Sequence, residues 1–132
     1  LLSNNKIKKF YSCHKYFPLL VKPNFGCSTK KIYSGVRKFN KSEYNFPKKF
    51  MFNSKYLINR RNTLEEIAFK NYPKLRKIKT FLEKTNDPIF ARMTGSGSTI
   101  VAYYNSLKNC KSAAAKFSRK YKNYWCIASK TI

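Results

Sequence analysis

The chain has 132 residues, 42% of them hydrophobic, with 11 Phe and 10 Tyr. That is enough for one buried core and too apolar for a disordered segment. It carries 29 Lys and Arg against 5 Asp and Glu, a formal net charge of +24, and has no apolar run long enough to span a membrane. The cysteines Cys13, Cys27, Cys110 and Cys126 form no CxxC pair and stand beside one histidine, His14, so no metal site is expected and the thiols read as reduced and cytosolic.

In chain order, Phe17 to Val21 is a compact apolar run ended by Pro23, Asn24 and Gly26, which predicts a buried strand and a turn. Ser28 offers an N-cap for a helix running to about Lys38, with Ile32 and Val36 on one side. Residues 40–61 mix Pro, Asn and Lys with a KFMF patch and read as a loop containing one short helical turn. Thr63-Leu64-Glu65-Glu66 has the capping-box pattern, with Thr63 as cap and Glu66 reaching back. The helix that follows breaks near Tyr72 because Pro73 cannot continue it, and Leu75, Ile78 and Leu82 resume the stripe in a second helix.

Ile89 to Met93 and Thr99 to Tyr104 read as two strands. Ser106 then caps a helix on which Leu107, Cys110, Ala114, Phe117 and Tyr121 recur at three and four, and Tyr124 to Ser129 closes as a strand. The order is that of the ferredoxin-like split β-α-β-β-α-β arrangement, an α+β fold with an antiparallel sheet and helices on one face. The first residue is Leu1 and not Met, so the chain is expected to be a piece of a longer protein.

Two functions compete for this fold and charge. RNA-recognition modules share the topology and stack bases on aromatics of the third strand. Here that strand is STIVAYY, with Ser98, Thr99 and Ile100 where basic or aromatic residues belong, and the adjacent Tyr103 and Tyr104 point to opposite faces. The RNA reading therefore keeps its charge argument without its motif. A general bias toward Lys and Asn accounts for the charge equally well.

The connection Thr94-Gly95-Ser96-Gly97-Ser98 carries the second reading. It fits neither GxxxxGK[ST] nor GxGxxG, and it leads into a strand rather than a helix. Glycines at positive φ let successive N–H groups converge on an anion, although a plain hairpin turn would use the same residues.

Four segments together resemble the GHMP kinases. ARMTGSGSTIVAYY (Ala91 to Tyr104) is similar to their third motif, and LLVKPNFGCSTKKIY (Leu19 to Tyr33) to their strand, Pro turn and Ser/Thr helix. NTLEEIAFKNYPKL (Asn62 to Leu75) is similar to their ND-x-E helix, with Thr63 in place of the usual Asp, and NYWCIASKTI (Asn123 to Ile132) to their closing strand. The family's GxGE-like segment is not recognisable in LLSNNKIKKFYSCHKY.

The resemblance implies that residues 1–132 are the C-terminal domain of such a kinase. Its substrate would be a small molecule, a cytidine-diphosphate-linked methylerythritol phosphorylated on its 2-hydroxyl in non-mevalonate isoprenoid synthesis. ATP and Mg2+ would be bound mainly by an N-terminal kinase domain absent from this sequence, which also carries the catalytic residues, so none is assigned here. Thr29 and Tyr33 are implied substrate-binding residues, Tyr33 stacking on the cytosine. Thr94, Gly95, Ser96, Gly97 and Ser98 are implied to face the phosphates, so that a side chain at Gly97 would intrude on the phosphate region. No specific nucleic acid and no membrane partner is implied, and the place of action is the cytoplasm.

Overall fold

A computed structural model describes residues 11, 13–37, 48–49 and 53–131. The elements in chain order are β1 (Phe17–Lys22), α1 (Thr29–Ser34), α2 (Ser54–Ile58), α3 (Thr63–Asn71), α4 (Pro73–Glu83), β2 (Phe90–Met93), β3 (Ile100–Tyr104), α5 (Leu107–Lys120) and β4 (Trp125–Ala128).

The strands pair in the order β2-β3-β1-β4, each neighbour antiparallel, which is the split β-α-β-β-α-β sheet. Register places Leu19 opposite Ala102 on one side and Ala128 on the other. Period-two alternation then sends Leu19 and Val21, Ala91 and Met93, and Ile100, Ala102 and Tyr104 to a single face. All of these are buried.

That face is covered by α4, through Leu75, Ile78 and Leu82, and by α5, through Cys110, Ala113 and Phe117. Each helix buries one stripe, because residues three and four apart share a side. The short α2 lies on the other side of the sheet, where Leu57 lines a cavity with Phe90, Val101 and Tyr103.

Several boundaries differ from the sequence reading. Helix α1 ends at Gly35, whose N–H turns back to Ile32 C=O at 3.2 Å; Lys38 and residues 39–47 lie outside the described residues. There is no room for a side chain at Gly35, since a Cβ would stand 2.7 Å from Ile67 Cγ2 of α3. On α5 the buried position is Ala113 in place of Ala114, which keeps the three-and-four spacing between Cys110 and Phe117, and Leu107 at the helix start is exposed. Ser28 and Ser106 cap as expected, accepting from Lys31 N–H and Asn109 N–H. Pro73 sits at the first position of α4, where its missing N–H is not needed.

Tyr104 fixes the end of β3 against the turn after α4. It is fully buried, and its hydroxyl donates to Thr85 C=O at 3.0 Å. Tyr104→Phe removes the donor and leaves a buried carbonyl unpaired, so it should destabilise the protein by about 1–3 kcal/mol. Urea denaturation measures this, and an unchanged midpoint would mean that the hydroxyl contributes nothing.

Candidate functional site

The loop between β2 and β3 is a closed turn. Thr94 N–H donates to Thr99 C=O and Gly97 N–H to Thr94 C=O, each at 2.9 Å. Gly95 and Gly97 take φ of 49° and 88°, the left-handed region in which a Cβ is disfavoured. Among the described residues the N–H groups of Gly95 and Ser96 have no hydrogen-bond acceptor. Both sit on the more open part of the loop, as donors that a ligand can use.

The turn from Phe25 to Thr29 forms the floor. Ser98 Oγ donates to Phe25 C=O at 2.9 Å, and Thr29 Oγ1 lies 3.1 Å from Ser96 Oγ. Ser28, one residue before Thr29, has its N–H on the Tyr72 hydroxyl at 3.1 Å, which ties this turn to the α3–α4 junction.

Gly97 faces this floor. A Cβ there would stand 2.9 Å from Met93 Sδ and 3.1 Å from Cys27 Sγ, whereas a Cβ at Gly95 meets nothing within 4 Å. The expectation that a side chain at Gly97 would enter the phosphate region is therefore corrected: it would collide with the protein interior. Burial pushes the Cys27 thiol up from its ordinary value, so at neutral pH it is an uncharged packing group.

The opposite wall is the N-terminus of α3, and here the sequence reading needs correction. The cap is Asn62 and not Thr63, since Asn62 Oδ1 accepts from Leu64 N–H at 3.0 Å. Glu66 does not reach back; it is exposed and pairs with Arg76 at 3.2 Å. Glu65 is buried. Its Oε2 accepts from Met93 N–H at 2.9 Å, and its Oε1 is paired with the Lys79 ammonium. The amide of Asn62 also donates to Met93 C=O at 2.9 Å and to Gly95 C=O at 2.8 Å. The ND-x-E resemblance marked these two positions without indicating what they touch.

Of the residues singled out from sequence, Thr29, Thr94, Gly95, Ser96, Gly97 and Ser98 come together in this one assembly. Tyr33 is on α1, 51% exposed and outside the core cluster, with Ile32 on the buried side. Among the described residues no cluster of His, Cys, Asp or Glu could hold a metal ion. The carboxylate nearest the loop, Glu65, is already committed to Lys79 and Met93, so these residues do not fit a Mg2+ site. No helix among the described residues is long and apolar enough to cross a membrane.

Comparison with known proteins gives consistent results. Residues 48–123 match the family described as GHMP kinases C terminal. The chain is 52% identical over 132 residues to the 4-diphosphocytidyl-2-C-methyl-D-erythritol kinase of Pelagibacter ubique (strain HTCC1062), covering 100% of this chain and 47% of that protein. It is 30% identical over 133 residues to the protein of the same name from Wolbachia sp. subsp. Drosophila simulans (strain wRi), covering 91% of this chain and 44% of the relative. A crystal structure of 4-(cytidine 5'-diphospho)-2C-methyl-D-erythritol kinase superposes with a TM-score of 0.72 at 19% identity, covering 91% of this chain and 45% of that one. The chain thus spans just under half the length of the relatives it matches.

The two glycines should respond differently to substitution. Gly95→Ala meets open space and should lose only about 1–2 kcal/mol from its left-handed backbone. Gly97→Ala adds to that strain a clash with Met93 and Cys27, of the size of core overpacking, about 1–3 kcal/mol more. Chemical denaturation of both variants should rank Gly97→Ala as the less stable. The reverse order would mean that Gly97 does not face the floor.

Proposed function

Because the chain belongs to the GHMP kinases C-terminal family, we propose that it is the C-terminal half of a kinase that transfers the ATP γ-phosphate to the 2-hydroxyl of 4-diphosphocytidyl-2-C-methyl-D-erythritol, a cytoplasmic step of non-mevalonate isoprenoid synthesis. The observation that carries this reading is the 52% identity along all 132 residues to a protein of that name. The geometry supports it, since the glycine loop leaves N–H donors open beside Thr29 and Ser96.

In this reading the nucleotide, its Mg2+ and the group that handles the hydroxyl proton lie in an N-terminal domain. Phosphoryl transfer is catalysed mainly by positioning and charge stabilisation. This half supplies one wall. The Thr94 to Ser98 loop faces the phosphate region, and Thr29 and Tyr33 face the cytidine. The 132-residue chain alone would have no kinase activity.

The RNA reading loses support on the sheet. Tyr104 is buried under the helices, and the other side of the central strands carries Pro18 and Val101, both buried, with Leu20 and Tyr103, whose ring stacks on Phe90 with centroids 4.8 Å apart.

The test is ATP-dependent phosphorylation of the cytidine-linked substrate by the full-length protein, where no turnover would refute the reading. A stacked base is worth about 1–3 kcal/mol. Tyr33→Ala should therefore raise KM for that substrate roughly ten- to a hundredfold while leaving KM for ATP unchanged, and Tyr33→Phe should be nearly silent. An unchanged KM in Tyr33→Ala together with a lowered Tm would make Tyr33 a packing residue.

A further inference from the structure

At the end of β2 the outer side of the strand is finished by side chains. β2 is an edge strand, and Thr94 is bonded inward to Thr99, so the N–H and C=O of Met93 point away from β3. An edge strand leaves such groups without partners. Here Glu65 Oε2 takes the Met93 N–H and Asn62 Nδ2 takes the Met93 C=O. Two residues of one helical turn thus imitate a neighbouring strand.

The second hydrogen of the Asn62 amide reaches further, to Gly95 C=O at 2.8 Å. This contact aims the loop. The peptide unit is planar and trans, so the N–H of Ser96 points opposite to the C=O of Gly95. Gly95 is the most permissive residue at that position, with φ of 49° and open space around its Cα, and nothing in its own conformation would hold the peptide plane. With Gly95 C=O drawn toward α3, Ser96 N–H faces away from α3, on the residue whose hydroxyl meets Thr29. The orientation of the Asn62 carboxamide is itself fixed, because Oδ1 must accept from Leu64 N–H while Nδ2 faces two carbonyl oxygens.

We propose that Asn62 is a positioning residue for phosphoryl transfer: through Gly95 C=O it turns the Ser96 N–H toward a phosphate oxygen of the reacting group. This rests on the kinase reading above. Asn62 need not touch substrate. Its cap bond to Leu64 supports the helix, and its two donor bonds set the loop.

Substitution separates the two roles. Asn62→Ser keeps a good capping oxygen and removes both donors. Asn62→Asp keeps the cap and places an anionic oxygen against two carbonyl oxygens. In the full-length protein each variant should lower kcat by roughly ten- to a hundredfold, with KM for the cytidine substrate within about twofold and Asn62→Asp the more impaired. Hydrogen exchange of the same protein should show faster exchange at Gly97 N–H, while the amides of α4 and α5 keep their protection.

Wild-type kcat and wild-type exchange at Gly97 in Asn62→Ser would make Asn62 a cap only and overturn the proposal. Loss of protection throughout the sheet and helices, with kcat falling in step, would make it a general stability residue and overturn it equally. A wild-type protein with no kinase activity would refute the function, while an unchanged Gly97 exchange rate in either variant would refute the positioning role on its own.

Discussion

The carboxylate of Glu65 is the contact on which the site depends. It joins three elements at one point: its own helix α3, the ammonium of Lys79 on α4, and the N–H of Met93 at the end of β2. A buried carboxylate is tolerable only when its oxygens are fully used, and here each oxygen has a partner. Lys79 also approaches Glu83 at 3.5 Å, so one cation serves a buried and an exposed acid. Removing the carboxylate would leave the strand N–H without its acceptor and the ammonium with only Glu83. Removing Lys79 would strand a charge in the interior, the more damaging of the two ways to break such a pair. Glu65 thus ties α3, α4 and β2 together at one point, and the glycine loop begins one residue beyond Met93.

Against a charge of +24 this use of acids is telling. The chain has five, and three of them, Glu65, Glu66 and Glu83, form ion pairs between or along helices α3 and α4. The basic residues are used differently. Arg76, Lys79 and Lys120 also set their charged groups over aromatic rings, with the Lys120 ammonium 4.6 Å from the Phe81 centroid.

Most of the fold could be read from the sequence because its signals are local. A serine before a helical stripe marked the starts of α1 and α5, a proline marked the α3–α4 break, and a compact apolar run ended by turn residues marked β1. The glycine loop and its neighbour Thr29 were also found, from their likeness to a family. What could not be read was decided by contacts across the chain. Asn62 and Thr63 are both competent caps, and only the carbonyls of Met93 and Gly95, 31 and 33 residues away, select Asn62. Glu65 and Glu66 look alike in sequence. Lys79 and Met93, 14 and 28 residues on, make the first a buried junction and leave the second on the surface. The direction of the missing Cβ of Gly97 has no sequence signal at all.

The same geometry bears on Thr63, the departure from the ND-x-E pattern. Position 63 is the first residue of α3, exposed, and the contacts with β2 and the loop are made by positions 62 and 65. An acid at position 63 would favour the helix N-terminus through the macrodipole, worth about 0.3–1 kcal/mol at an exposed site. Glu65 and Glu66 already place two negative charges in that first turn. Thr63 therefore forgoes a small, redundant electrostatic gain and leaves the grip on the loop untouched. Asn62 and Glu65 have less latitude: Asn62 uses one acceptor and two donors on the short stem that an N-cap needs, and Glu65 engages both Lys79 and Met93 with its two oxygens. The side chains at positions 62 and 65 bond backbone, whereas the one at 63 meets water.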